Sequence, residues 1–156
     1  MNIPEPFATI ESADAYFSAR AYSSGWTALA DDETKAQYLN LASVIIRIFS
    51  SFTPDDAEVP VSIDDPDIVE KYALASVLEA ACLEEALHLV NLGKDPTQTL
   101  KVLNLGILST DGTTFDHSFV ADILCPFTVR ILKNAGFEVS SEATGGESVQ
   151  VGLITK

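Results

Sequence analysis

Basic residues are scarce in this sequence. It has nine Lys and Arg residues against 23 Asp and Glu residues in a chain of 156, which gives a formal net charge of −14 at pH 7. A protein that binds DNA or RNA on its own needs clustered cations to replace the counterions on the phosphates. The charge therefore argues against a free-standing nucleic-acid-binding protein.

Cysteines and long apolar runs are also few. Cys82 and Cys125 fall short of the disulfide framework of a small secreted protein. Glu79, Glu84 and Glu85 interrupt the best apolar run, so it does not approach the ~20 residues that span a bilayer. The first residues lack the pattern of a signal peptide. We therefore expect the cytosol, or a particle assembled there, and no membrane partner.

Motifs of common catalytic sites are absent from the sequence. Gly93-Lys94 is followed by Asp95 where a phosphate-binding loop requires Ser or Thr, and the chain contains no GxGxxG. It contains no GxSxG nucleophile elbow either. We expect no enzyme activity, no catalytic residues and no cofactor, although a site assembled from dispersed residues stays open.

One pair of potential metal ligands has a helical spacing. Glu85 and His88 are three residues apart, as in each half of a di-iron bundle site. The second pair is missing, because Thr114 stands three residues before His117. We interpret Glu85 and His88 as part of a solvated helix face, and we predict no metal site.

Helix signals dominate the first half of the chain. Residues 10–22 predict a short helix capped by Ser12. A second helix is predicted to start at the acids 31–33 and to end before Pro54, and residues 53–64 are predicted to form a loop. Apolar residues of the second helix recur at helical spacing: Leu41, Val44, Ile45, Ile48 and Phe52. Trp26 and Cys82 are interpreted as core residues, with an interface role for Trp26 as the alternative.

The strongest helix signal lies in the middle of the chain. Asp65 is a typical N-cap, Pro66 suits the first helical position, and Gly93 suits the end. We predict one helix over residues 67–92, roughly 40 Å long at 1.5 Å per residue. Its wide apolar arc predicts burial on more than one flank, partly against another subunit.

The last third of the chain has a different pattern of apolar and turn residues. Residues 101–116, with a turn at Asp111-Gly112, predict a β-hairpin, and residues 119–134 predict a helix interrupted at Cys125-Pro126. The small polar residues 140–148 predict a flexible linker. Beyond it, apolar residues alternate as in a strand that could be added to a partner.

These signals together predict a mainly α fold: a small helical bundle with a long central helix, a β-hairpin and an extended C-terminal tail. We expect four or five helices. Residues 1–136 are the expected helical domain, and residues 137–156 the expected flexible arm. The arm carries the residues predicted to bind a partner: Phe137, Val149, Val151, Leu153 and Ile154.

The order of these features resembles a known family, the head-to-tail connector (adaptor, or head-completion) proteins of tailed bacteriophages. The resemblance is carried by residues 12–17 (SADAYF), the turn at Trp26 and residues 31–35 (DDETK). The alanine-rich helix 67–92, residues 101–109 (KVLNLGILS) and residues 124–127 (LCPF) continue it. One departure is the loop 58–61 (EVPV), which lacks the Phe-Pro-Arg that many members have.

The resemblance implies a structural virion protein. Connectors of this kind form a closed ring of about twelve copies between the portal protein and the next connector or tail-terminator protein. Double-stranded DNA passes through the bore without specific binding, and the virion assembles in the bacterial cytoplasm. An acidic wall suits such a bore because it repels phosphates.

Two other interpretations remain open at this point. Related sequences also resemble a DnaT-like single-stranded DNA-binding group, although strand binding needs a cationic groove with stacking aromatic residues. A small cytosolic enzyme is the third possibility.

Overall fold

The structure, a computed structural model, describes residues 5–108 and 123–140, with side chains except those of residues 104–108. The described part contains seven helices, more than the four or five expected, and two short strands. The first five elements are α1 (Ile10–Ser18), α2 (Ser24–Thr27), α3 (Asp32–Phe49), β1 (Ser50–Phe52) and α4 (Pro66–Lys71). They are followed by α5 (Ala75–Leu92), α6 (Pro96–Leu108), α7 (Pro126–Asn134) and β2 (Phe137–Val139). The mainly helical class is confirmed.

The first helix is capped differently from the prediction. Thr9 is the N-cap: its hydroxyl accepts the backbone N–H of Ser12, and the Ser12 hydroxyl accepts that of Thr9. This reciprocal arrangement satisfies two N–H groups that a helix start leaves free. Ser12 is therefore the third residue of α1 and not its cap. The helix ends at Ser18, earlier than expected, and Tyr22 beyond it has a left-handed backbone with φ of 65°.

The predicted helix over residues 67–92 is interrupted. Asp65 caps α4 as expected, with its carboxylate accepting the Asp67 N–H at 2.9 Å. However, α4 ends at Lys71, and Ala73 adopts φ of 55°. The Ala73 N–H then binds the Glu70 carbonyl, and the Leu74 N–H binds the Val69 carbonyl, as in a Schellman helix end. The left-handed backbone at Ala73 turns the chain so that Leu74 is buried in the core. Helix propensity depends on the local sequence alone and does not predict this gain.

The β element lies elsewhere than predicted. Residues 101–108 belong to α6, so the first strand of the expected hairpin is wrong, and residues 109–116 lie outside the described part. The Asp95 carboxylate accepts the Gln98 N–H at 3.0 Å and Pro96 follows it, the same start signature as Asp65-Pro66.

The observed sheet joins distant parts of the chain. Strands β1 and β2 pair antiparallel, with Phe52 opposite Phe137. Val61, near the end of the predicted loop 53–64, donates its N–H to the Phe52 carbonyl at 2.8 Å. Phe52 is therefore a strand residue and not the end of the second helix, which stops at Phe49.

Helix α5 lies at the centre of the fold. It packs against α3 on one flank and α7 on another, and its residues from Ala81 to Leu87 are all buried, as the wide apolar arc predicted. Trp26 has no exposed surface and Cys82 none, so both are core residues. Gly93 ends the helix with φ of 72°, as expected. Among the residues that the structure describes, no helix is long and apolar enough to cross a membrane.

Candidate functional site

A cleft opens beside the second half of α5. It lies between the turn that follows α1, the residues from Glu84 to Asn91 of α5, and the start of α7, and its volume is about 550 Å³. The residues that give it its chemistry are Arg20, Tyr22, Glu84, His88, Cys125 and Phe127. We call it the Arg–aromatic cleft.

Arg20 is held in place at the wall of the cleft. Its guanidinium forms an ion pair with Glu84, and the same carboxylate oxygen accepts the hydroxyl of Tyr16. The hydrogen bond to Glu84 raises the pKa of Arg20. The pKa of Tyr16 is raised mainly by burial and further by its hydrogen bond to Glu84. The guanidinium also lies 6.0 Å from the Tyr16 ring centroid and 5.9 Å from that of Phe127. Arg20 thus joins α1, α5 and α7 at one point.

Two large aromatic side chains at the cleft are exposed to solvent. Tyr22 is 94% exposed and Phe127 is 53% exposed. The left-handed backbone at Tyr22 costs energy for a residue with a Cβ, and the turn is held by the Ser23 hydroxyl, which donates to the Phe17 carbonyl at 2.6 Å. Tyr, Phe and Arg are residues that often dominate the energy of protein interfaces. The exposed Tyr22 and Phe127 beside Arg20 therefore make this cleft the candidate site.

Phe127 lies between two arginines. Arg130, one turn further along α7, has its guanidinium 6.0 Å from the same ring centroid. It is exposed, and within the described part of the chain no ion pair is formed by Arg130. Among the described residues, the charge of Arg130 is therefore not balanced by an ion pair.

A buried carboxyl group lies beneath the cleft. Glu85 has no exposed surface; its Oε1 accepts the backbone N–H of Cys125 at 2.9 Å, and its Oε2 has no hydrogen-bond partner among the described residues. Burial raises the pKa of Glu85 from its ordinary value of 4.5 to about 8. The prediction of a solvated face is wrong for Glu85, because α7 covers this side of α5.

The buried carboxyl and its neighbours do not form an evident reactive centre. Burial also raises the pKa of the Cys125 thiol, which disfavours the nucleophilic thiolate. In residues 5–108 and 123–140, no group of three or more His, Cys, Asp or Glu side chains could hold a metal ion. The hydrogen bond from the Cys125 N–H joins Glu85 of α5 to the residue that precedes α7.

An exposed acidic surface lies near the other end of α5. Residues 55–67 contain no Lys or Arg, and we call them the acidic segment. Its carboxylates are all exposed: Asp55, Asp56, Glu58, Asp64, Asp65 and Asp67. Lys71 pairs with Asp56, and Arg47 pairs with Asp64. Val59 projects from this loop with 65% of its surface exposed.

The residues predicted to bind a partner are only partly described. Phe137 is buried, lies in β2 opposite Phe52, and has its ring centroid 5.0 Å from that of Phe52. It is thus part of the core of this chain, and the fold continues beyond residue 136. Val149, Val151, Leu153 and Ile154 lie outside the described residues.

The Arg–aromatic cleft was not found from the sequence. Tyr22 and Phe127 each stand beside a helix-breaking signal, Ser23-Ser24-Gly25 and Pro126, but many core aromatic residues do so too. Their exposure depends on how α1 and α7 approach α5, which no local pattern reports. Comparison with protein-family models, curated proteins and solved structures finds no match for this chain.

Proposed function

We propose that this protein is a head-to-tail connector of a tailed bacteriophage, a structural subunit of a ring between the portal protein and the tail. The proposal starts from the resemblance in residues 12–17, 31–35 and the central helices. It assigns the chain no catalytic activity and no cofactor. Its location would be the virion, at the junction between head and tail.

The observation that carries the proposal is that the segments of the resemblance pack on one another. Asp14, in the SADAYF helix, accepts the indole N–H of Trp26 at 2.9 Å and the ammonium of Lys35 at 3.0 Å. Tyr16 donates to Glu84 of α5, and the Phe17 ring lies 5.1 Å from that of Trp26. The polar and aromatic residues of the motif thus hold α1, α2, α3 and α5 together, which is a reason for such residues to recur in one family.

Charge and surface chemistry agree with a structural role. The net charge of −14 would suit the wall of a bore, because like charge repels the phosphates of DNA moving through it, and the Arg–aromatic cleft has the composition of a protein-binding surface. The arm residues Val149, Val151, Leu153 and Ile154 would add a strand to the portal or to a neighbour.

The test is made on virions. The chain should be detected by mass spectrometry in purified tailed particles and labelled by immunogold at the head–tail junction. Phage lacking the gene should accumulate filled heads and separate tails, and purified chain should restore joining. Normal infectious particles without the chain would refute the proposal.

The arm has its own test within the proposed function. Since Phe137 is a core residue, the chain should be truncated after Ser140, which keeps β2. The truncated chain is expected to fold with unchanged circular dichroism and to join heads to tails poorly. Joining at the full-length rate would refute the role of the arm.

A second candidate function is binding of single-stranded DNA. It is favoured by one observation, the exposed Tyr22 and Phe127 beside Arg20 and Arg130, because stacking aromatic residues with nearby cations are typical of strand-binding surfaces. A gel shift at physiological salt with an oligothymidylate separates the two functions. Sub-micromolar binding would favour this candidate over the connector.

A further inference from the structure

We infer that the Arg–aromatic cleft of one copy of this chain binds the acidic segment of a second copy, so that copies associate head to tail. The inference rests on the proposed ring function and names the contact that would build it. It depends on three observations: the charge of each surface, its exposed apolar groups, and the separation of the two surfaces.

The charges of the two surfaces are complementary. Arg130 is exposed beside Phe127 and has no ion-pair partner in the described part of the chain. Arg20 lines the cleft but is already paired with Glu84, so Arg130 supplies the positive charge that is open to a partner. Asp55 and Glu58 of the acidic segment are exposed and likewise form no ion pair among the described residues. In a chain with nine basic residues, most surfaces would repel a second copy. Beside the cleft, the acidic segment would instead meet Arg130.

Each surface also carries exposed apolar groups. The cleft is concave and is flanked by the exposed rings of Tyr22 and Phe127, whereas Val59 and Pro60 project from the acidic segment with carboxylates on either side. Aromatic residues and arginine around a group that becomes buried, within a polar rim, are typical of an interface centre. The acidic segment of a second copy would thus supply the aliphatic groups that fill the cleft.

The two surfaces are different parts of the molecule. The acidic segment is tied to the start of α5, because the Tyr72 hydroxyl donates to Asp56 at 2.7 Å three residues before α5 begins. The α5 residues that line the cleft run from Glu84 to Asn91, about 14 to 24 Å further along the helix at 1.5 Å per residue. A contact between unlike surfaces is heterologous, and such contacts generate rings or filaments where a self-complementary contact stops at a dimer.

The experiment uses one variant for each surface of the full chain. The cleft variant is Tyr22→Ser with Arg130→Glu, and the segment variant is Glu58→Gln with Val59→Ser, so that the two mutated surfaces do not attract each other. The matched control is Lys101→Glu with Val102→Ser, which reverses one charge and removes one apolar side chain at exposed positions of α6. Association is measured by sedimentation velocity against the subunit mass of 16.7 kDa.

The expected result has a specific pattern. Wild type and control should associate beyond the dimer, and added salt should weaken this association because it screens the charges. The self-association of each surface variant alone should be at least about tenfold weaker than that of the wild type, which is a loss of about 1.4 kcal/mol of association free energy. An equimolar mixture of the two variants should form a heterodimer and nothing larger, since each pair keeps one intact cleft and one intact segment.

Several outcomes would overturn the inference. These are a monomeric wild type, variants that associate like the wild type, or a mixture that stays monomeric although both variants give native circular dichroism. Oligothymidylate binding that is lost in the cleft variant alone would assign the cleft to nucleic acid instead.

The contact and the function can fail separately. A chain that associates through these surfaces but is absent from virions would refute the connector function and leave the contact standing. A chain present at the head–tail junction whose variants still associate would refute only the contact.

Discussion

Replacing Glu85 by Gln is the most informative single change in the core. Glu85 has no exposed surface, one of its oxygens accepts the Cys125 N–H, and the other has no partner among the described residues. Gln keeps the size of the side chain and an acceptor oxygen but cannot ionise. The variant therefore isolates the cost of the ionisable group.

The size of the effect follows from the pKa. In the unfolded chain the carboxyl loses its proton near 4.5, whereas burial in the folded chain raises its pKa to about 8. At low pH both states hold the proton and there is no cost. Between these two values only the unfolded state releases it, so stability falls as pH rises, by about 1.4 kcal/mol per pH unit. The cost reaches about 3 kcal/mol at pH 7 and levels off near 5 kcal/mol above pH 8.

The assay is urea unfolding of wild type and Glu85→Gln from pH 4 to pH 9. We expect the variant to be more stable than wild type by about 3 kcal/mol at pH 7 and nearly equal to it at pH 4. The overall repulsion within the acidic chain cancels in this difference. Glu70→Gln, at an exposed site on α4, is the control and should stay within about 0.5 kcal/mol of wild type. A Glu85→Gln difference that does not change with pH would show that the carboxyl is not buried as described.

Three further substitutions test the backbone and the core. Gly93→Ala should cost about 1 kcal/mol, because φ is 72° and no atom lies within 4 Å of the new Cβ, so only the left-handed conformation is penalised; thermal unfolding measures it. Ala73→Gly should stabilise by about 1 kcal/mol, since Ala73 has φ of 55° and glycine adopts it freely; a destabilised variant would contradict the described break between α4 and α5. In a Cys125→Ser background, Cys82 should resist a thiol reagent at pH 8 until urea is added, because burial raises its pKa to about 11; labelling at the rate of the unfolded chain would contradict its burial.

The connector interpretation depends partly on features visible in the sequence and partly on features formed only in the folded chain. The acidic charge and the SADAYF, DDETK and LCPF segments are visible in the sequence. The contacts of Asp14 with Trp26 and Lys35 show how the SADAYF and DDETK segments hold the fold together. The Arg–aromatic cleft adds a surface on which a ring could be built. Because the two surfaces that we pair have opposite charge, the assembly should be sensitive to ionic strength even though the subunit fold is not built on these contacts.

Part of the fold that the prediction missed could have been read from local patterns. Asp95-Pro96 repeats the start signature of Asp65-Pro66, and the same rule applied at both places predicts α6 in place of a strand. The burial of Glu85 could not have been read in this way. Glu84 and Glu85 are adjacent acids on one helix, and whether each is solvated or covered depends on α1 and α7, which approach α5 from elsewhere in the chain.

The sequence by itself determined the helical class, the start of α4 at Asp65, the end of α5 at Gly93, and the core positions of Trp26 and Cys82. These follow from hydrogen-bonding caps, backbone preferences and apolar spacing, which act over a few residues. Only the tertiary structure decided the break at Ala73, where burying Leu74 outweighs the helix propensity of alanine. The pairing of β1 with β2 and the Arg–aromatic cleft are tertiary too, because they join residues far apart in the chain, and their energy comes from contacts that no local segment contains.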